Sequence, residues 1–150
     1  MKFDVIQIGS HIGNTPNDHL FNRIQCNKKI IFIEPIEEYY NQLIINYNEK
    51  YPNNEFIFLN VACSDKVGFI ELYVPIVTNN SPSWANQLSS VLPNHVKNHN
   101  LNIDIDKKIV KTIRLDNLIN KYHISEIDLL CVDTEGHDYV ILNDFDFSSK

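Results

Sequence analysis

Glycine is scarce in this chain, with 4 residues in 150. Two of the four, Gly9 and Gly13, fall in one short stretch directly after the apolar run at residues 5–8. Glycine lets a backbone turn tightly and lets another group approach without a Cβ in the way. The stretch therefore predicts a turn in which the backbone comes close to a ligand, although two ordinary turn glycines would give the same pattern.

Cysteine is also rare, and its number is odd: Cys26, Cys63 and Cys131, with no Cys-x-x-Cys pair. Disulfide frameworks need paired cysteines, and thiolate zinc sites need closely spaced ones, so both are unexpected here. We expect a reducing, cytoplasmic location, with Cys131 as a core residue inside an apolar run.

Basic clusters and long apolar runs are both missing. The formal net charge is -6, and Lys and Arg do not cluster as they do in proteins that bind phosphate backbones. No apolar run approaches the ~18 residues of a membrane span, and no signal peptide opens the chain. We therefore expect neither nucleic acid nor a membrane as the main partner.

The chain does show alternating strand and helix patterns. Its length of 150 residues suits a single domain, residues 1–150. Apolar runs at 3–8, 29–33 and 56–62 predict three buried strands. Helices are predicted to begin at Pro16 and at Pro35, because proline suits the first position of a helix. Alternation of this kind predicts an α/β fold with a parallel sheet.

The second half of the chain departs from this alternation. Residues 68–74 alternate apolar and polar side chains, which predicts a half-exposed strand that could pair with 108–115. Between them, residues 75–108 are irregular and rich in Asn, Ser and Pro, so we interpret them as an insertion or lid. A short helix is predicted at 116–122.

A further apolar run at 127–133 predicts a strand buried on both faces, and a turn then opens a helix at 137–143. In open parallel sheets, ligands bind beyond the carboxyl ends of the strands. Four stretches with polar or glycine residues are expected to meet there: 9–14, 34–35, 62–65 and 133–136.

The spacing of these stretches favours an adenosine ligand. Glu34 lies 25 positions after Gly9, near the ~20 at which an acid meets a ribose hydroxyl in nucleotide folds. The glycine turn lacks the Gly-x-Gly-x-x-Gly pattern of dinucleotide sites, and no Lys-Ser or Lys-Thr follows as in a P-loop. A pyrophosphate ligand is therefore poorly supported. Glu34 as a solvated acid at a helix start stays an alternative.

The chain resembles the FkbM-type family of class I S-adenosylmethionine-dependent methyltransferases. The similar stretches, in the family's order, are DVIQIGSHIGN, IFIEP, LNVACSD, SSVL, TIRLDNLI and IDLLCVDTEGHDYVIL. The resemblance implies a Rossmann-like sheet and methyl transfer from S-adenosylmethionine to hydroxyls of sugars, glycans or natural products. The implied substrate is thus a small molecule or a glycan.

The resemblance also implies which residues hold the cofactor. It puts Glu34 on the ribose, the 62–64 edge near the adenine, and Asp133 and Glu135 beside the sulfonium. The cofactor-binding residues expected on this basis are Gln7, Gly9, Ser10, His11, Gly13, Asn14, Glu34, Pro35, Ala62, Cys63 and Ser64.

The chain differs from the family pattern at three points. Gln7 stands where Asp is usual, and His11 stands where Asn is usual. Further strands are usual after the last predicted helix, so we expect a sheet without its C-terminal strands. Either the natural protein continues past Lys150, or the open edge of the 127–133 strand is covered by self-association.

Three residues are candidates for the chemistry: Asp133, Glu135 and His137. Asp133 suits a base by position or could anchor a divalent ion, although it could also cap the following helix. His137 suits a base by its ordinary pKa, or it is a plain surface residue. His95 and His99 are four apart but no acid follows them in a usable position, so we expect a solvated loop there.

Two other functions stay open. Gln7, His11 and the short C-terminus favour a degenerate domain that acts as a binding or interaction module. A nucleotide-sugar or dinucleotide enzyme on a similar sheet is a further alternative, weakened by the missing phosphate glycines.

Overall fold

The computed structural model describes residues 1–16, 18 and 20–147, which form an α/β fold. The elements in chain order are β1 (Lys2–Ile8), β2 (Lys29–Ile33), α1 (Glu37–Lys50), β3 (Glu55–Leu59), β4 (Ala62–Cys63), β5 (Gly68–Pro75), α2 (His95–Asn98), β6 (Ile105–Ile113), α3 (Leu115–Lys121), β7 (Glu126–Val132) and α4 (Asp138–Asn143). The first sheet is parallel, in the order β3-β2-β1-β7. The predicted Rossmann-like α/β arrangement is confirmed.

Helices cover both faces of this sheet. Leu43 and Tyr47 of α1 pack against Phe32 on one face. Leu118 of α3 and Ile141 of α4 pack against the other face. The sheet is thus held between two apolar layers, and its carboxyl edge is left for the loops that follow the strands.

A second, smaller sheet has the order β4-β6-β5. β5 and β6 run antiparallel, with Ile70 opposite Val110, which confirms the predicted pairing. The segment between them is mostly irregular, as predicted, apart from a 3-10 turn at Ala85–Gln87 and α2. β6 begins at Ile105, slightly earlier than the sequence pattern suggests.

The predicted strand at 56–62 is wrong in its second half. The chain leaves the first sheet after Leu59, and Ala62–Cys63 pairs with β6 in the second sheet. The Asn60 side-chain amide lies at the break and donates to the backbone carbonyls of Glu34, at 2.9 Å, and Pro35, at 3.1 Å. These bonds fix the bend that carries the chain from one sheet to the other.

The helix predicted from Pro16 is also wrong. An Asp18 carboxylate oxygen accepts from the backbone amides of Leu20, at 2.7 Å, and Phe21, at 2.8 Å. Only one turn follows, closed by the Arg23 amide on the Leu20 carbonyl, and Asn27 then adopts a left-handed φ of 60° that a helix cannot continue. Asn17, next to the predicted start, lies outside the described residues.

β7 is not buried on both faces, contrary to the prediction. Its residues are all partly or fully exposed, and Leu129 is 47% exposed. The reason is position, since β7 pairs with β1 on one side, and no strand within the described ranges pairs with its other side. Among those same residues, no helix is long and apolar enough to cross a bilayer.

Candidate functional site

A cavity of about 380 Å³ opens at the carboxyl ends of β1, β2 and β7 and beside β4. Three residues of the irregular segment, Gln87, Ser89 and Val91, form part of its wall. The irregular segment is called the lid below, after the predicted role. Predicted site residues that line the cavity are Gln7, Gly9, Ser10, His11, Glu34, Pro35, Ala62, Cys63, Asp133, Glu135 and His137. Gly13, Asn14 and Ser64 do not line it.

The two glycines of the first turn lie in close contact with other parts of the protein, and Gly9 also lines the cavity. A Cβ on Gly9 would lie 1.8 Å from the Asp133 carbonyl oxygen, and a Cβ on Gly13 would lie 2.3 Å from the Tyr47 ring. Both residues also have positive φ, 80° and 77°. The glycines are therefore required for close packing within the protein, and the ligand contact predicted for them stays a prediction.

Glu34 is buried beneath the first loop, with 4% of its surface exposed. Its two carboxylate oxygens accept from the backbone amides of His11 and Ile36, each at 2.8 Å. Burial raises the pKa of Glu34 to about 7, against the opposing effect of the two amides. The alternative of a solvated helix-start acid is thus wrong, because this carboxyl ties the loop after β1 to the loop after β2.

Asp18 is a site residue that the sequence pattern did not reveal. Its second carboxylate oxygen accepts from the Gln7 side-chain amide at 3.3 Å, and both residues line the cavity. The side-chain carbonyl oxygen of Gln7, Oε1, is buried and has no hydrogen-bond partner. Asp18, which lies 11 residues after Gln7 in the chain, therefore places a carboxylate beside the position where the family pattern would have Asp.

His11 packs its ring on Tyr39, with the ring centroids 4.1 Å apart. Both ring nitrogens are buried and neither makes a hydrogen bond of normal geometry. Burial lowers the pKa of His11 to about 4, although the nearby Asn86 carbonyl acts the other way. The ring is therefore neutral at physiological pH, with both nitrogens buried.

His137 is buried and belongs to a short hydrogen-bonded series. Its Nε2 lies 3.0 Å from the Ser64 hydroxyl, which donates to Asp65 at 3.0 Å. Because that hydroxyl has a single proton, the network assigns a proton to Nε2 and leaves Nδ1 as the acceptor. Burial lowers the pKa of His137, and the charge of Asp65 opposes this. His137 is thus not a plain surface residue.

Asp133 and Glu135 follow β7 at the cavity. Burial raises the pKa of Asp133, and the nearby charges of Glu135, Asp138 and Asp18 add to this effect. Asp133 does not cap α4. Asp138 instead accepts from the Thr134 amide at 2.7 Å and from its hydroxyl at 2.6 Å, which fixes the turn.

The solvated loop predicted around His95 and His99 is wrong for His95, which lies in the short α2 and is only partly exposed, whereas His99 is exposed as predicted. The His95 Nε2 atom lies 2.8 Å from a Glu135 carboxylate oxygen. Within the described ranges, the one group of at least three His, Cys, Asp or Glu side chains that could hold a metal ion is His95, His99 and Glu135. Asp133 is not in it. Local sequence could not reveal the acid, which comes from a turn 40 residues away.

Comparisons with known proteins assign the chain to a family. The family model described as Methyltransferase FkbM domain matches residues 7–150. Neither the curated proteins nor the solved structures gave a significant match. The matched region includes the cavity loops, the lid and the turn after β7, so the chain belongs to the FkbM methyltransferase family.

Proposed function

We propose that this cavity binds S-adenosylmethionine and that the protein methylates a hydroxyl of a sugar or glycan. The charge of the cavity wall carries the proposal. Four carboxyl residues line the cavity, Asp18, Glu34, Asp133 and Glu135, whereas no Lys or Arg does so among the described residues. Such a wall favours a cation and disfavours the pyrophosphate of a dinucleotide or nucleotide sugar.

The residues present fit this cofactor. The Glu34 carboxylate would accept from the ribose hydroxyls, while its bonds to two loop amides keep it in place. The side-chain carbonyl oxygen of Gln7, which has no hydrogen-bond partner, would accept a hydrogen bond from the ammonium group of the cofactor's amino-acid end. Asp18 would supply the negative charge that Gln7 lacks.

The adenine would lie against Ala62, Cys63 and Leu72, which form an apolar part of the wall. Burial raises the pKa of Cys63 to about 12, so its thiol stays neutral and presents an apolar surface. This position agrees with the adenine edge implied by the family resemblance.

When bound, the cofactor supplies a methyl group on a positively charged sulfur. The chain must then align an acceptor hydroxyl and remove its proton. His137 would take this proton at Nδ1, because its lowered pKa leaves the ring neutral, and Ser64 and Asp65 would hold the ring from the other nitrogen. Asp133 would accept a hydrogen bond from the acceptor and orient it. A positioned base of this kind is worth about 10²–10⁴-fold in rate.

A sugar acceptor is supported by the family and by the polar side chains of the lid. Gln87 and Ser89 line the cavity from that side, and amide and hydroxyl groups suit the hydroxyls of a carbohydrate. A binding module without turnover is the second candidate, favoured by the presence of Gln7 and His11 at positions where the family pattern differs.

Calorimetry and a methyl-transfer assay separate these functions. We expect S-adenosylmethionine and S-adenosylhomocysteine to bind, and NAD and UDP-sugars not to bind. His137→Gln should keep cofactor affinity and lose turnover with an accepted sugar, whereas Asp133→Asn should lose turnover and also weaken cofactor binding, because it removes one of the four carboxylates of the wall. Binding without turnover in the parent, over a broad panel of glycans, would favour the binding module, and binding of NAD or UDP-sugars alone would refute the proposal.

A further inference from the structure

Three ligand-type side chains converge at the edge of the lid. Atoms from His95, His99 and Glu135 all lie within 4.8 Å of one another. The closest pair is the His95 Nε2 and a Glu135 oxygen, at 2.8 Å, and the rings of His95 and His99 are 5.0 Å apart. Glu135 lines the cavity, so the cluster stands at the cavity's rim.

The backbone that carries this cluster is firmly anchored. Glu135 has a left-handed φ of 51°, a conformation unfavourable for a side chain of its type. Its carbonyl accepts from the Ser90 hydroxyl at 2.6 Å, and Ser90 exchanges two backbone bonds with Tyr73 of β5. A Cβ on the neighbouring Gly136 would lie 2.8 Å from Leu92. Tight packing therefore holds the lid and the turn after β7 together.

The donor set is typical of a transition metal. Two imidazoles and one carboxylate are the ligands of catalytic zinc sites, which leave a fourth position for water or substrate. Tetrahedral bonds of about 2.0–2.1 Å imply ligand atoms roughly 3.4 Å apart. The closest pair must therefore open by about half an ångström and the most distant must close by roughly 1.4 Å. His99 is exposed, so its side chain can rotate towards the other two ligands.

We propose that His95, His99 and Glu135 bind one divalent transition-metal ion, with Zn²⁺ as the representative ion, and that the ion fastens the lid to the rim of the cavity. The nitrogen ligands favour zinc or cobalt over magnesium, which prefers oxygen ligands. Glu135 also belongs to the acidic wall on which the proposed cofactor binding rests, but the metal site is tested by metal binding itself and not by methyl transfer.

The protein contains its own reporter for this site. Trp84 is the one tryptophan of the chain, and its ring lies 6.2 Å from that of His99. We expect Co²⁺ to quench Trp84 fluorescence with a stoichiometry of one and to give the visible absorption of a four-coordinate site. Zn²⁺ should displace Co²⁺, and a chromophoric chelator then gives the Zn²⁺ affinity. Mg²⁺ should have no effect.

Variants of the untagged full chain decide the assignment. His99→Gln and Glu135→Gln should each lower Zn²⁺ affinity by tenfold or more, since even groups behind the ligands are worth about 10–100-fold. His123→Asn, which changes an exposed histidine elsewhere, should bind as the parent does, as should Cys26→Ser, which removes the exposed thiol. His99→Gln should fold normally because the side chain is exposed, and circular dichroism checks this.

Unchanged Zn²⁺ affinity in folded His99→Gln would overturn the proposal. Loss of the single strong site in Cys26→Ser or His123→Asn would do the same, because the ion would then lie elsewhere. A stronger response to Mg²⁺ than to Zn²⁺ or Co²⁺ would refute the ligand set. No binding of any of the three ions would reduce the cluster to a plain hydrogen bond between His95 and Glu135.

Discussion

Glu34→Gln replaces a buried carboxyl by an amide of the same shape. Burial raises the pKa of Glu34 from 4.5 to about 7, and each pKa unit corresponds to about 1.36 kcal/mol. Ionised Glu34 therefore opposes folding by roughly 3 kcal/mol above its folded pKa. The Gln side chain cannot ionise, so the variant lacks this pH-dependent term. The Gln side chain has one oxygen to accept from the two backbone amides of His11 and Ile36. The lost hydrogen bond lowers the stability of the variant by an amount that does not vary with pH.

The sign of the effect follows from proton binding. Between pH 4.5 and about 7 the folded state holds the Glu34 proton more tightly than the unfolded state does. Stability is therefore greatest below the unfolded pKa and is lost as pH rises through the folded pKa. From about pH 5.5 to about pH 8, we expect the parent to lose roughly 2 kcal/mol relative to Glu34→Gln.

The free energy of unfolding must be compared between the parent and Glu34→Gln, because the pH dependence that His11 gives to stability is opposite in sign to that of Glu34. Burial lowers the pKa of His11 from 6.5 to about 4. The contribution of His11 to the free energy of unfolding is therefore fully present above the unfolded pKa and is lost as pH falls through the folded pKa. Both proteins contain His11, and the difference between their urea-unfolding free energies across this range isolates Glu34. Parallel curves would show that Glu34 does not titrate near neutral pH and would refute the reasoning.

The same variant tests the proposed contact with the ribose. Hydrogen bonds to a charged group contribute about 1.5–3 kcal/mol, so Glu34→Gln should weaken S-adenosylmethionine binding roughly tenfold to a hundredfold. Affinity of the parent should rise as pH increases through 7, whereas that of the variant should stay level. Equal calorimetric affinities in both proteins would exclude Glu34 as the ribose acceptor.

Four further variants test other parts of the structure. His11→Asn should reduce the fall in stability below pH 6.5 that the lowered pKa values of His11 and His137 produce, and a fall of unchanged size in urea unfolding would contradict the burial of His11. Asp18→Asn, which can still cap the following turn, should weaken S-adenosylmethionine binding about tenfold but leave adenosine binding unchanged in calorimetry. Gly13→Ala should destabilise by about 2 kcal/mol or more, from its left-handed φ and the clash with the Tyr47 ring. Leu129→Lys should reduce any self-association through the open edge of β7 in light scattering, and a parent that stays monomeric at high concentration would remove that proposal.

The sequence predicted what depends on local pattern. Runs such as 29–33 indicated buried parallel strands, and their ends correctly indicated which loops would meet at the cavity. It could not predict contacts between distant segments. Glu135 contacts His95, which lies 40 residues away along the chain. Position 9 must be glycine because a Cβ there would collide with the Asp133 carbonyl oxygen. The burial of β7 was overestimated because apolar composition does not reveal whether a strand stands at an edge.

The acidic wall of the cavity affects how fast a ligand binds and how fast the product leaves. Its field extends beyond contact distance and draws a positively charged ligand inward, over a range of about 8 Å at physiological ionic strength. A ligand that enters as a sulfonium and leaves as a neutral thioether would lose that attraction at the moment of transfer. The cavity would then capture the charged form quickly and release the spent form readily, and added salt should slow capture while hardly changing release.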